Sequence, residues 1–231
     1  MKPHNPTLID DPRQNSESQP MAYSNFTLSK AKTAFNLTLN EGQNLFARVE
    51  GVSPSEILQT ILQEYIPLAT AINTEKARSE LLIAPILAEV RRQVNYQVSL
   101  FSGNEFNVEE SLGLQGYCDF MVSGSPEQYF ITAPIIAIAE AKNENIIGGL
   151  GQCVASMVGA QLFNQRAENE INTIYGIVTS GTTWKFLKLQ EKTVFIDSVE
   201  YYIKEVDKIL GILLEPLRGY LGSDQPTPTL T

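Results

Sequence analysis

Residues 134–142, PIIAIAEAK, constrain this chain more than any other stretch of it. They are apolar on both faces for most of their length, a pattern that suits a strand covered on both sides. Such a strand belongs inside a sheet rather than at its edge. Side chains alternate along a strand with a period of two, so Ile136, Ile138, Glu140 and Lys142 are expected on one face. Two opposite charges therefore close an otherwise apolar face. Burying them there is costly unless they pair with each other or hold an ion.

Residues 116–123, GYCDFMVS, form a second strand pattern, with Asp119 set among Tyr117, Cys118, Phe120 and Met121. Pairing of the two strands would bring Asp119 beside Glu140, and adjacent carboxylates repel unless a divalent cation accepts both. Asp119, Glu140 and the backbone carbonyl of Ala141 are the candidate ligands. All are hard oxygen donors that suit Mg²⁺, with Mn²⁺ as a substitute. Lys142 would then face an attacking water and the oxygens of a phosphate, the groups needed for phosphodiester hydrolysis.

The surrounding elements read as follows. Residues 33–39 alternate as a short strand. Ser53-Pro54-Ser55-Glu56 opens a helix, with Ser53 as N-cap, Pro54 at the first helical position and Glu56 closing a capping box. A further helix runs from Asn73 or Thr74 to about Arg92, with a kink at Pro85. Residues 96–102 form a strand. Gly148-Gly149-Leu150-Gly151 is a flexible lead into a helix reaching about Glu168, and it lacks the Lys-Ser/Thr of a P-loop. Residues 172–179, 183–189 and 193–196 are strands, and an amphipathic helix covers 199–217. This order predicts an α/β fold, a mixed sheet flanked by helices on both faces. One domain is expected over residues 25–221. Before it, residues 1–24 read as a disordered tail, and residues 222–231 as a flexible one.

Composition removes several chemistries. The one histidine, His4, falls in the first tail, which leaves no Ser-His-Asp triad, Cys-His pair or histidine-ligated zinc. Cys118 and Cys153 are too few for an all-cysteine zinc site and read as small buried residues, and Trp184 as a core anchor. With no secretory signal and no apolar run approaching about 20 residues, a cytoplasmic protein without a membrane partner is expected. The net charge of −9 runs against phosphate binding, which a basic surface favours. Basic residues that could contact phosphate include Arg91, Arg92, Arg166, Lys185 and Lys188.

Gly116-Tyr117-Cys118-Asp119, then Glu140-Ala141-Lys142, then Gln152 in the following helix resemble the PD-(D/E)xK nuclease superfamily. Glu80, in a helix upstream, matches a further acidic residue often found there. Residues 175–189, YGIVTSGTTWKFLKL, look like the late strands of the N-terminal nuclease domain in type I restriction motor subunits. The similarity spans about residues 75–195, and Cys118 stands where the family name has proline. It implies a restriction-endonuclease-like core of αβββαβ order. Asp119 and Glu140 would be metal ligands and Lys142 the catalytic lysine. Glu80 would bind metal directly or through water, and Gln152 would steady the lysine, water or phosphate. The implied function is a divalent-metal-dependent nuclease acting on DNA, with a homodimer expected because double-strand cutters need two active sites. The alternative is a non-catalytic structural or regulatory interaction module on the same fold.

Overall fold

A computed structural model describes residues 21–169 and 171–223; residues 1–20 with His4, and 224–231, lie outside the described residues. The chain runs α1 (Leu28–Ala34), β1 (Thr38–Asn40), α2 (Glu56–Ile72), α3 (Glu75–Arg78), a π-helical turn (Ser79–Ile83) and α4 (Ala84–Gln93). There follow β2 (Ser99–Glu105), β3 (Tyr117–Ser123), β4 (Ile135–Ala141), α5 (Ile146–Arg166), β5 (Thr173–Thr179), β6 (Thr183–Gln190), β7 (Thr193–Ile196), β8 (Tyr201–Tyr202) and α6 (Val206–Ser223). The eight strands make one mixed sheet in the order β1-β7-β6-β5-β4-β3-β2, with β8 against β6. The fold is α/β, with helices on both faces.

β4 lies inside the sheet, antiparallel to β3 and parallel to β5, and α5 makes the crossover between the parallel pair. Every residue of β4 is buried, as its two-sided apolar sequence requires. One apolar cluster joins the sheet to α2, α4 and α6, and a second joins it to α1 and α5. Trp184 is fully buried in the first, its indole N–H donating to the Gly181 carbonyl at 3.0 Å.

Strict alternation along β4 fails at one residue. Val122 faces Ala137 but Ser123 faces Ile135, which makes Ile136 the extra residue of a β-bulge. Ile136 consequently packs with Ala137, Ala139 and Ala141 rather than with Ile138, which shares the α5 cluster with Ile135.

Other departures have local causes. The helix after residue 53 is capped by Ser55, whose Oγ accepts from the Leu58 N–H at 3.2 Å, because Glu89 holds the Ser55 N–H and hydroxyl at 3.0 and 2.8 Å. Residues 33–39 are not one strand: α1 runs to Ala34, Asn36 turns the chain at φ 52°, and pairing with β7 begins at Thr38. The irregularity expected at Pro85 is the π-helical turn before it, where the Ala84 N–H reaches back to the Ser79 carbonyl. β2 starts at Ser99, since Asn95 and Tyr96 are left-handed (φ 53° and 60°). The last helix starts at Val206 rather than 199, because Tyr201 and Tyr202 first pair with Trp184 and Thr183.

The glycines at 148–151 are not a flexible lead. They lie in the first turns of α5, whose N-cap Asn145 accepts from the Gly148 N–H at 2.9 Å. A Cβ on Gly151 would sit 2.3 Å from the Phe26 carbonyl oxygen, so glycine here permits α5 to meet the backbone before α1. That backbone belongs to the fold from residue 21: Tyr23 is buried and its N–H donates to the Gln115 carbonyl at 2.9 Å, although residues 21–24 read as tail. Gly222 and Ser223, also read as tail, end α6.

α5 also overturns the expectation that no stretch is apolar enough to span a bilayer. It has 21 residues, its best window has a mean hydropathy of 1.5, and 67% of that window is buried inside the protein. Contact with β4, β5 and α1 accounts for its composition.

Candidate active site

The site forms where β4 ends. Glu140, the penultimate residue of the strand, has a side chain only 1% exposed. Its Oε1 accepts from Lys142 Nζ at 2.8 Å, while Oε2 is buried with no hydrogen-bond partner. Asp119 reaches the same place from β3. The β3–β4 ladder stops at Phe120 and Ala139, and beyond it the Asp119 side chain takes over, Oδ2 accepting from the Ala141 N–H at 2.8 Å. Ala141 is thus tied by its own backbone to one carboxylate and by chain connectivity to the other.

Electrostatics follow from this placement. Burial, then the nearby Asp119 charge, push the Glu140 carboxyl up to about 8, against the pull of Lys142. Burial works against the Lys142 charge, but Glu140, then Glu75 and Asp119, outweigh it and raise that pKa. Lys142 is fixed at its backbone by donating to the Thr179 carbonyl at 2.8 Å. α5 lies on its side chain: a Cβ on Gly149 would be 3.0 Å from Lys142 Cγ and 2.7 Å from Val178 Cγ1. Gln152 follows one turn later on the same stripe of α5, half-buried and without a hydrogen-bond partner among the described residues.

Glu75 is the residue that sequence reasoning missed. It stands in the first turn of α3, and a neighbouring network sets where that turn lies. Arg78, 8% exposed, donates to Asn73 Oδ1 at 2.9 and 3.1 Å, and to the Ser180 carbonyl and Thr182 Oγ1, each at 3.1 Å. Asn73 in turn donates to Glu144 Oε1 at 3.3 Å. These bonds hold the start of α3 against the β5–β6 turn and the residues after Lys142. Glu80, expected as a metal ligand, is not brought there: its side chain is 59% exposed and pairs with Lys76 at 2.6 Å. Glu80 lies five positions beyond Glu75, within the π-helical turn, and its carboxylate is engaged by Lys76.

Among the described residues no group of three or more His, Cys, Asp or Glu side chains is gathered as for a metal ion. The compact part of the site is the pair Asp119 and Glu140 with Lys142. Cys118 and Cys153 are free and buried; burial pushes the Cys118 thiol up to about 12 and raises Cys153 further, so neither is a thiolate near neutral pH. A cleft of about 700 Å³ between residues 44–52 and α6 contains none of these residues.

No family model, curated protein or solved structure matches this chain. The case for function rests on the residues themselves.

Proposed function

We propose that this chain is a divalent-metal-dependent nuclease of the restriction-endonuclease-like type, hydrolysing phosphodiester bonds in DNA. The observation that carries the reading is Glu140 Oε2, a buried acceptor with nothing to accept from, beside a second carboxylate and a lysine. Ionising a carboxyl left in that state is costly, which is why its pKa is raised, and a cation from outside relieves the cost.

The donors present fit a hard cation. Asp119, Glu140 and the Ala141 carbonyl offer oxygen, as Mg²⁺ and Mn²⁺ require. Two carboxylates and a backbone carbonyl leave room for waters in an octahedral shell. Bound there, such a cation supplies charge neutralisation for a phosphate and lowers the proton affinity of water. Lys142, its pKa raised, keeps its proton at Nζ near neutral pH and acts as a fixed positive donor to a phosphate oxygen or the attacking water. Its side chain is 22% exposed, so Lys142 is reached by solvent as well as by Glu140. Gln152, half-buried and unpartnered on the α5 side, is the orienting amide. The order α, three strands, α, strand agrees with the PD-(D/E)xK resemblance.

A non-catalytic module is the second reading, favoured by the direct Lys142–Glu140 pair, which already compensates part of the buried charge. Calorimetric titration of Mg²⁺ and Mn²⁺ into the wild type and an Asp119→Ala/Glu140→Ala variant separates the two, followed by plasmid cleavage with the wild type and Lys142→Ala. The expected result is binding lost in the double variant and cleavage slowed roughly 10²-fold or more by Lys142→Ala. Wild-type protein with neither binding nor turnover would establish the module instead. Linear rather than nicked product is expected if two copies act together as a homodimer.

A further inference from the structure

The cross-strand register carries the site two strands beyond its motif. Glu140 lies opposite Val178 in the β4–β5 ladder, and Val178 lies opposite Lys185 in the β5–β6 ladder. Directly opposed residues project from the same face of a sheet. Glu140, Val178 and Lys185 therefore form one row on the side covered by α5, where Val178 packs. Strands lie about 4.8 Å apart, so the Lys185 backbone is about 10 Å from that of Glu140.

The five basic residues singled out from the sequence differ in how their charge is engaged. Arg92 bonds Glu89 at 2.5 Å, and Arg166 bonds Glu109 at 2.6 Å. Arg91 donates to the Val98 carbonyl at 3.0 Å and lies over the Tyr96 ring. Lys188 sits over the Phe46 ring at 4.5 Å on the opposite face, with Glu215 at 3.7 Å. Lys185 is half-buried and has no ion pair or hydrogen bond among the described residues. A long aliphatic stem lying along the sheet, with its ammonium unclaimed, is ready to meet an anion.

We infer that Lys185 binds a phosphate flanking the scissile one, so that the nucleic-acid strand runs along the edge of the sheet where β4 and β5 end and β6 begins, beside the start of α5 rather than beneath it. The inference rests on the nuclease reading. Lys185 touches no reacting atom and is a positioning residue. It also fixes the character of binding. A protein of net charge −9 that grips the strand through Lys142 and Lys185 contacts few phosphates. Its affinity then falls only shallowly with salt, with a log–log slope of about −1.5 for two contacts.

The test is fluorescence anisotropy of a labelled oligonucleotide, single-stranded and duplex, over a salt series with Ca²⁺ replacing Mg²⁺. The proteins are the wild type, Lys185→Gln, Lys185→Arg and Lys192→Gln. Lys192, in the β6–β7 turn, is the control. Lys185→Gln is expected to weaken binding about fivefold at low salt and to reduce the slope by about 0.8, with Lys185→Arg near wild type and Lys192→Gln unchanged. In cleavage, Lys185→Gln raises KM and leaves kcat. Equal thermal midpoints exclude misfolding as the cause. Wild-type binding that Lys185→Gln leaves unaltered in affinity and slope overturns the inference alone. Wild-type protein that neither binds nor cleaves any of the oligonucleotides overturns the nuclease reading with it.

Discussion

Glu89 in α4 and Glu140 in β4 have side chains that are each 1% exposed, and they ionise in opposite directions. Burial opposes ionisation of both. Around Glu89 that penalty is outweighed by Gln93, by the Ser55 N–H and hydroxyl, and by Arg92, which together hold the carboxyl below its ordinary value. Glu140 has one donor, Lys142, a neighbouring acid and an orphaned oxygen, and its carboxyl is pushed up to about 8. Depth of burial therefore says little about the role of a charged side chain. The completeness of its hydrogen bonding separates a residue that braces the fold from one kept ready for something outside it.

The contrast is broken most forcefully by removing the braced carboxylate. Glu89→Ala strands the donors of Ser55, Gln93 and Arg92, and is expected to lower the free energy of unfolding in urea by about 2–3 kcal/mol. A loss within experimental error would mean that the network contributes no net stability.

The next effect has the opposite sign. Because the folded-state pKa of Glu140 is raised, its stabilising contribution is complete below the unfolded carboxyl pKa and is lost as pH rises through about 8. In the presence of EDTA, Glu140→Gln is expected to melt at a higher temperature than wild type at pH 8, with the gap closing towards pH 4. For Glu89 the folded pKa is lowered, so its contribution is present above the unfolded pKa and disappears as pH falls through the folded one. Thermal midpoints of both variants across pH would show crossing profiles; parallel profiles would remove the distinction.

The smallest effect sharpens the choice of a third acid. Glu80→Ala removes an exposed i,i+4 ion pair and is expected to change stability by less than about 0.5 kcal/mol and cleavage not at all. Glu75→Ala should lower cleavage measured in the same assay. The reverse ranking would return Glu80 to the site.

These acids also show how far the sequence could be read. β3, β4 and β7 stand within a residue of the places their apolar patterns predict, because two-sided burial leaves a strong local mark. Asp119, Glu140 and Lys142 were legible for the same reason, being charges set within or just after such strands. α1 carries only Leu28 and Ala31 as inward-facing residues, too few to form a stripe. Glu75 was not legible: an exposed acid in a four-residue helix gains its place from Arg78, which is docked on a turn more than a hundred residues away. The burial of Glu89 likewise depends on Ser55, in a different helix start. Partnerships made by tertiary docking leave no period in the chain.

The bulge at Ile136 acts as a vernier between two fixed marks. At one end of β4 the Ile135 N–H and carbonyl are both held by the amide of Asn164, at 2.7 and 2.8 Å; at the other, the Ala141 N–H is held by Asp119. The surplus residue takes up the mismatch between those anchors. A chain of this fold shortened by one residue at 136 would restore a regular ladder and leave Glu140 in phase with Asp119. The same deletion at Ala141 would draw Lys142 onto the opposite face. Losing a residue at the beginning of this strand therefore costs the Asn164 anchor, whereas losing one at its end costs the site.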